Sequence, residues 1–348
     1  MEPLKTVFAR VDASVTIGSG HVTRLLALAE EIKSRGALVE FICREYQGNL
    51  LDLIEKAGFT VHALPAVAVW DSQEDANLTH AIIKKRGGGD WLLVDRYGID
   101  AKWDRLLRPV VKNILVVDDL ANVKRDCDVL LNQNYLPGIE VEYRDLLPQG
   151  AKLLLGPQYA LLGAEFAKVR NMPVTPQSEG IKRILVSFGG GDNSNALLLA
   201  LKALKLLSLN NIDVDIVAGQ SEQRADEIKE LADSLGANLY GSVDNMATLT
   251  ARADLVIGAL GVSTWERMCL GVISIIVTVA SVQDRVAHAL GKDELAIYLG
   301  RLEDVSPAML ADAVNDIITN NSVFYPLREK GVRLVDGFGA KRVAGALG

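Results

Sequence analysis

Hydrophobic positions along the chain follow two alternating periods. Short runs of β-branched and other apolar residues predict buried strands, and between them apolar residues recur every three or four positions, which is typical of amphipathic helices. The clearest helical stripe ends at Gly36, a helix stop signal, and consists of Val22, Leu25, Leu26, Ala29 and Ile32. Strands that alternate with helices in this way predict an α/β fold with parallel, doubly wound sheets.

This alternation runs through the chain twice, with one interruption. Residues 171–180 carry two prolines and a glycine and few apolar side chains, so we interpret them as a linker. We therefore expect two Rossmann-like domains that face a cleft, residues 1–170 and 181–348, and we expect the last helix to pack back on the N-terminal domain. Strands are predicted at 6–11, 38–43, 59–63, 91–94, 114–117, 183–188, 213–218, 254–257 and 274–279, and helices at 21–35, 49–57, 193–207, 222–235, 245–252, 263–270 and after 307.

Composition narrows the possible partners. The 348 residues carry a net charge of −7, which argues against nucleic acid or an anionic membrane surface as the main partner. The three cysteines, Cys43, Cys127 and Cys269, lie far apart and predict neither a disulfide framework nor a zinc site. No signal peptide is visible and the apolar runs are too short for a membrane span. We expect a cytoplasmic protein, not inserted in a membrane and without a bound metal; the sequence leaves its oligomeric state open.

The first predicted loop carries a candidate catalytic residue. Gly18 and Gly20 allow a tight turn between strand and helix, and His21 follows at the helix start. Free amides and the dipole at that end attract an anion and disfavour a second positive charge, so we expect a neutral imidazole that can accept a proton. Asp12, at the end of the strand, would orient the ring or a water. Equally, the glycines could serve only the turn and His21 only the helix start.

Two loops of the second half are candidate ligand sites. Gly189 and Gly190 follow a strand at the edge where doubly wound sheets bind ligands, and either Asp192 or Asn193 could cap the next helix. Further along, Ser263 and Glu266 fit a capping box.

The segment around that box also fits a nucleotide site. Thr264 would contact phosphate and Glu266 would accept hydrogen bonds from ribose hydroxyls. The sequence alone does not separate this role from helix capping. A dinucleotide-binding loop is disfavoured because Thr23 stands where its third glycine would be, and no P-loop is present, so no cofactor is expected.

The remaining polar loops have simpler interpretations. Tyr97 follows a predicted strand and could contact a sugar, although a partly buried core role is at least as consistent with the sequence. Asp118 and Asp119 resemble a metal pair but lack further ligands at suitable spacing, which favours turn and capping roles.

Six segments together resemble one family, the UDP-2,4-diacetamido-2,4,6-trideoxy-β-L-altropyranose hydrolases of pseudaminic acid biosynthesis with the related spore-coat polysaccharide proteins. They run in family order over almost the whole chain: RVDASVTIGSGHVTRLLALA, VDRYGID, VVDDLANVKRDCDVLLNQNY, LLGPQYALL, ILVSFGGGD and ADLVIGALGVSTWERMCLG. The resemblance implies the glycosyltransferase-B architecture and metal-independent hydrolysis of a UDP-sugar, with inversion at the anomeric carbon and release of UDP.

The resemblance also implies roles for individual residues. His21 matches the catalytic histidine, Asp12 its neighbouring aspartate, and Tyr97 the tyrosine of a D-x-Y segment. Thr264 and Glu266 match the diphosphate and ribose contacts. The other residues expected at the substrate are Gly18, Gly20, Arg24, Gly189, Gly190, Gly261, Ser263 and Gln283.

The chain departs from the family pattern at three positions near the expected ligand. Leu260 and Val262 replace a glycine and a serine of the family's glycine-rich segment, and Val282 replaces an asparagine. Two other functions therefore stay open beside hydrolysis. One is a glycosyltransferase of the same fold, and the other is a nucleotide-sugar-binding homologue that has lost catalysis.

Overall fold

The structure is a computed structural model that describes residues 6–172, 180–190, 193–219, 224–241, 243 and 245–348. The chain divides into two compact units. The first comprises Met1–Gly163 together with Phe338–Gly348, and the second comprises Ala164–Gly337. Most of the expected linker at 171–180 lies outside the described residues, as does the candidate helix cap Asp192.

A seven-stranded parallel sheet forms the centre of the first unit. The spatial order of its strands is β3-β2-β1-β4-β5-β6-β7, so the winding direction reverses between β1 and β4. Their near-continuous apolar sequences fit strands that are covered on both faces. The strands are β1 (Thr6–Val11), β2 (Leu38–Arg44), β3 (Thr60–Leu64), β4 (Gly89–Asp95), β5 (Val111–Val117), β6 (Val129–Asn132) and β7 (Lys152–Leu155).

The final helix of the chain belongs to this first unit. Helix α1 (Gly20–Ser34) buries its predicted stripe, and it also buries Arg24 and Leu28 on flanking positions. The closing helix α14 (Gly339–Leu347) packs along α1, with the Arg35 guanidinium donating to the Lys341 carbonyl at 2.9 Å. The other helices of this unit are α2 (Leu51–Lys56), α3 (Ser72–Lys85), α4 (Ala101–Leu107) and α5 (Glu140–Tyr143).

The second unit contains a six-stranded parallel sheet of order β10-β9-β8-β11-β12-β13, whose winding reverses between β8 and β11. Its strands are β8 (Arg183–Ser187), β9 (Asp213–Val217), β10 (Asn238–Tyr240), β11 (Leu255–Ala259), β12 (Ile273–Thr278) and β13 (Ile297–Arg301). Its helices are α6 (Ala164–Arg170), α7 (Ser194–Leu204), α8 (Ala225–Leu235), α9 (Met246–Arg252), α10 (Val262–Cys269), α11 (Asp284–Lys292), α12 (Pro307–Thr319) and α13 (Asn321–Leu334). Throughout the described part of the chain, each helix is too short or too polar to cross a bilayer.

The first unit ends earlier than residue 170, the boundary expected from the sequence. Helix α6 packs against α9 and α10 of the second unit. Its Arg170 guanidinium donates to the carbonyls of Cys269, Val332 and Val335 at 2.7–2.9 Å, which fixes the helix to that unit. The boundary is therefore set by tertiary contacts of α6 and not by the proline-containing segment that follows it.

Candidate functional site

Three strand ends of the first sheet bring polar side chains to one place. His21 lies at the start of α1, directly after the loop that follows β1, Asp95 is the last residue of β4, and Asp119 follows β5 by two residues. Because β1, β4 and β5 are adjacent and parallel, their carboxyl ends lie side by side. The winding of the sheet reverses there, which is where doubly wound sheets bind ligands.

His21 and Asp95 form a short hydrogen bond. The His21 Nδ1 lies 2.6 Å from the Asp95 Oδ1, with the carboxylate fully buried and 13% of the imidazole exposed. An ionised carboxylate only accepts hydrogen bonds, so we assign the ring proton to Nδ1. That assignment leaves the lone pair on Nε2, and Nε2 is then the atom that can accept a proton from a ligand or a water.

Arg24 fixes the position of the Asp95 carboxylate through hydrogen bonds. Its guanidinium donates to both oxygens of Asp95 at 2.6 Å and to both oxygens of Asp119 at 2.9–3.0 Å. Burial alone would raise the pKa of Asp95, but Arg24 and His21 outweigh it and lower that pKa to about 2. Arg24 is itself buried, so it acts on the site through the two carboxylates.

Asp119 connects the buried part of the site with its exposed part. It accepts hydrogen bonds from the Tyr97 hydroxyl at 3.0 Å and from the Asn134 amide at 2.9 Å. The Tyr97 ring is 43% exposed and lies edge-on to His21 at a centroid distance of 5.0 Å. Partial burial and the Asp119 carboxylate raise the pKa of Tyr97 far above its usual range, so its hydroxyl stays protonated.

Asp12 has a different role from the one expected. Its carboxylate is buried and accepts hydrogen bonds from the Arg10 guanidinium at 2.6 and 2.9 Å, the Arg44 amide at 2.8 Å and the Arg96 Nε at 2.8 Å. Arg10 lies in β1, Arg44 is the last residue of β2, and Arg96 directly follows β4. Asp95, and not Asp12, orients the His21 ring.

The loop before His21 is held by its own backbone and hydroxyl groups. The Ser14 Oγ accepts hydrogen bonds from the amides of Thr16 and Ile17, and the Gly18 amide donates to the Ser14 carbonyl at 2.8 Å. Gly18 has a φ of +80°, a backbone conformation that glycine adopts without the strain that a Cβ would cause. Ser19 makes no side-chain hydrogen bond to the first turn of α1. The backbone amides of that turn therefore remain available to other acceptors.

The second sheet has its own reversal point, between β8 and β11. Gly189 and Gly190, in the loop after β8, are exposed, and Gly189 has a φ of +84°. Asn193 precedes α7 but makes no side-chain cap; its amide instead donates to the Phe188 carbonyl at 3.0 Å. The expected capping role of Asn193 is thus replaced by a hydrogen bond that closes the glycine-rich loop.

The loop after β11 does not form the capping box that was expected from Ser263 and Glu266. Helix α10 begins at Val262, so Ser263 lies inside the helix and cannot be its N-cap. Gly261 stands at the cap position, and its amide donates to the Thr264 Oγ at 3.3 Å. Thr264 is fully buried, and its hydroxyl already contacts the loop. The structure therefore gives Thr264 a role inside the loop, while Gly261 is exposed and Ser263 half-buried.

Glu266, in α10, has a raised pKa. Burial, opposed by Arg267 and assisted by Glu165, raises its pKa to about 7. Among the described residues, none donates a hydrogen bond to its half-buried carboxylate. Its acceptor capacity therefore remains for a ligand, as the ribose role requires.

Gln283 fixes two loops together. Its side-chain oxygen accepts hydrogen bonds from the amides of Val279 and Ala280, and its amide nitrogen donates to the Leu260 carbonyl at 2.7 Å. Leu260 is buried, so its side chain does not add bulk to the exposed face of the loop. Val282 is 51% exposed beside it.

Comparison with known proteins gives relatives at low identity. The chain is 28% identical over 271 residues to an uncharacterised protein of Methanocaldococcus jannaschii, covering 75% of this chain and 53% of that protein. It is 24% identical to the spore coat polysaccharide biosynthesis protein SpsG of Bacillus subtilis, over 97% of this chain and 96% of SpsG. It is 30% identical over 165 residues to the UDP-2,4-diacetamido-2,4,6-trideoxy-β-L-altropyranose hydrolase of Campylobacter jejuni, covering 47% of this chain and 53% of the hydrolase. The chain thus spans about half the length of the first and third of these relatives, and no protein-family model matches it.

Solved structures identify the fold. MurG of Acinetobacter baumannii superimposes with a TM-score of 0.71 at 15% identity, over 99% of both chains. The calicheamicin glycosyltransferase CalG4 superimposes with a TM-score of 0.62 at 13% identity, over 100% of this chain and 98% of CalG4. The chain therefore has the glycosyltransferase-B fold that the family resemblance implied.

Three residues of these two regions were not among the candidates expected from the sequence. Asp95 lies two residues before the expected Tyr97, Asp119 has the pattern of a turn residue, and Arg267 directly follows Glu266. A usable signal existed for the two aspartates, since each directly or almost directly follows a predicted strand. The turn interpretation remains correct for Asp118, whose carboxylate accepts hydrogen bonds from the amides of Leu120 and Ala121.

Proposed function

We propose that this chain is a nucleotide-sugar hydrolase. It releases UDP from a UDP-2,4-diacetamido-trideoxyhexose, with inversion at the anomeric carbon, in nonulosonic (pseudaminic-type) acid or surface polysaccharide biosynthesis. The observation that carries the proposal is the buried Asp95 that fixes the His21 tautomer and leaves Nε2 as a base. Similarity to the Campylobacter hydrolase and to SpsG supports the substrate class.

The proposed reaction is a single displacement. The His21 Nε2 takes a proton from water as the water oxygen forms a bond to the anomeric carbon, and the bond from that carbon to the diphosphate oxygen breaks. The products are the free sugar with inverted configuration, UDP and one proton. Asp95 stabilises the imidazolium that forms, and Arg24 keeps Asp95 ionised and oriented.

The other proposed roles concern binding. Tyr97, which stays protonated, would donate to or stack against the sugar. The first-turn amides of α1, with Gly18 and Gly20, would stabilise negative charge on the departing diphosphate. In the second unit, Glu266 would accept the ribose hydroxyls, while Gly189, Gly190, Gly261 and Ser263 would contact the rest of the nucleotide.

The test is release of UDP with water as the only acceptor. We expect turnover of UDP-2,4-diacetamido-2,4,6-trideoxy-β-L-altropyranose or a related UDP-diamino-sugar, unchanged by a metal chelator. The variant His21→Ala should lose at least about a thousandfold in kcat, as expected for a general base that acts with an oriented carboxylate. The matched control His80→Ala changes a histidine of α3 in the same unit and should keep full activity. Release that is equal in His21→Ala and the wild type would contradict the assignment of the base.

A glycosyltransferase is the second candidate function. The fold shared with the calicheamicin glycosyltransferase CalG4 favours it. In that case His21 would take the proton from an acceptor hydroxyl in place of water. UDP release that begins only when an acceptor alcohol is added would support the transferase, and release of equal rate without any acceptor would support the hydrolase.

A further inference from the structure

The second unit contains a buried arginine that forms no ion pair with a carboxylate among the described residues, although the neighbouring Glu266 interacts with it electrostatically. Arg267, in α10, is 2% exposed. Its Nη2 donates to the Ala259 carbonyl and the Thr264 Oγ, both at 2.9 Å, and its Nη1 lies 3.3 Å from the Ser263 Oγ. Its Nε has no hydrogen-bond partner among the described residues. The guanidinium is therefore held at the first turn of α10 by neutral oxygens only.

Other buried arginines of the described chain are paired differently. Arg10, Arg24, Arg44 and Arg125 each donate to at least one aspartate within 3.0 Å. Arg267 has no such ion pair within the described residues. Burying an unpaired cation is costly, and such a charge usually serves a ligand or is neutralised by one. Burial, opposed by the neighbouring Glu266 carboxylate, lowers the pKa of Arg267 to about 10, which still leaves it charged at neutral pH.

The backbone leaves space for this side chain. A Cβ on Gly258 would clash with the Ser187 carbonyl oxygen and would lie 2.7 Å from the Arg267 Nη1. Ser187 ends β8 and Gly258 lies near the end of β11, so the guanidinium sits where the winding of the second sheet reverses. Any side chain at residue 258 would displace either the strand end or the guanidinium.

The hydrogen bonds around Arg267 also set the direction of one hydroxyl. A guanidinium only donates, so the Ser263 Oγ accepts from it and keeps its own proton for another acceptor. Ser263 is half-buried, whereas Thr264 is fully buried. Of the two hydroxyls, only that of Ser263 can reach a ligand.

We propose that Arg267 is the positioning residue of a diphosphate site at the start of α10. Its fixed charge attracts the diphosphate, and its hydrogen bond turns the Ser263 hydroxyl outward as a donor, without direct contact between the guanidinium and the ligand. This inference rests on the proposed function, since it assumes that the second unit binds a nucleoside diphosphate. The charge of the α10 dipole adds to the same attraction.

Calorimetry with UDP and uridine separates a charge effect from a structural one. For the full chain at a pH well above 7, where Glu266 is ionised, Arg267→Met should weaken UDP binding by about tenfold or more, because a buried charge is removed. It should change uridine binding by less than about twofold. Arg267→Lys should fall between the wild type and Arg267→Met, because it keeps the charge and loses the planar fork. The matched control Arg333→Met, an exposed arginine of α13, should bind both ligands like the wild type.

Each outcome decides between the possibilities. Equal losses for UDP and uridine in Arg267→Met, or unchanged UDP binding, would overturn the inference while leaving the proposed function in place. If Arg267→Met does not fold, Ser263→Ala provides the same test, because it should weaken binding of UDP and not of uridine. A wild-type protein that binds neither ligand would contradict the proposed function itself.

Discussion

The two candidate regions use the same position in their sheets and opposite chemistry. Each lies where the winding of a parallel sheet reverses, between β1 and β4 in the first unit and between β8 and β11 in the second. In the first unit, charged side chains neutralise each other through Arg24, with Asp95 and Asp119 on either side. In the second, glycine backbone lies at the strand ends beside the Arg267 guanidinium, which donates only to neutral oxygens among the described residues.

This difference indicates that the two regions have different roles, proton transfer in the first unit and anion binding in the second. A network of paired charges holds one imidazole in one tautomer, which favours proton transfer. A buried guanidinium that makes no ion pair, beside a glycine-rich loop, favours binding of an anion. Variants of the first region should therefore change kcat and stability, whereas variants of the second should change ligand affinity and the pH dependence of stability.

The strongest test of the first region is Asp95→Asn. An amide at this position no longer selects the tautomer with a free Nε2, so kcat should fall by about 10³–10⁴, by analogy with other histidine–carboxylate pairs. UDP affinity, measured by calorimetry, should stay within about threefold of the wild type. The control Asp52→Asn removes an exposed carboxylate of α2 and should leave kcat unchanged. A loss of less than about tenfold in Asp95→Asn would mean that the dyad does not carry the reaction.

The second prediction concerns the stability of the same network. Arg24→Met leaves the buried carboxylates of Asp95 and Asp119 without their shared cation. The free energy of unfolding in urea should fall by about 3–5 kcal/mol. The exposed Arg105→Met should change it by less than about 1 kcal/mol. Adding Asp119→Asn to Arg24→Met should recover part of the loss, because one of the two orphaned charges is removed.

The sequence predicted the fold more accurately than it predicted which site residues are hydrogen-bonded to each other. The hydrophobic period located most of the central strands, and the glycosyltransferase-B architecture is confirmed by solved structures. The short strands β6, β7 and β10, of three or four residues each, were missed because so few positions establish no period. The first domain was expected to run to residue 170, past the start of α6, since the partners of that helix, α9 and α10, lie about 80 residues or more further along the chain.

The site residues show the same limit. His21 and Tyr97 were found because local glycines and a strand end marked them. Asp12 was expected to orient His21 because it ends the preceding strand, yet Asp95 is the partner, 74 residues away. Which strand end lies beside β1 depends on the order of the sheet, and the periodicity of a single sequence contains no information on that order.

The third prediction separates the second region from the first by pH. The pKa of Glu266 is about 7 in the folded chain, above the usual carboxyl value of 4.5. The folded state therefore holds this proton more tightly than the unfolded state, and stability falls as pH rises from about 4.5 through 7. Glu266→Gln removes this penalty, so without ligand its free energy of unfolding should exceed that of the wild type by about 1–3 kcal/mol more at pH 8 than at pH 5.

The same variant tests the ribose role. Because ribose hydroxyls bind best to the ionised carboxylate, UDP affinity of the wild type should rise with pH through about 7, and Glu266→Gln should lose this dependence. Exposed Glu329→Gln, on α13, is the matched control. A stability difference that is the same at both pH values would contradict the raised pKa.

The smallest expected effect belongs to Tyr97→Phe. This change removes one hydrogen bond to Asp119 from a ring that is 43% exposed, while Arg24 and Asn134 still hold that carboxylate. Stability should fall by less than about 1.5 kcal/mol, and kcat by less than about tenfold. A loss in kcat as large as that of His21→Ala, with unchanged stability, would show that the Tyr97 hydroxyl acts on the reacting atoms. The first region would then contain two catalytic groups, and the paired-charge network would serve Tyr97 through Asp119 as much as it serves His21 through Asp95.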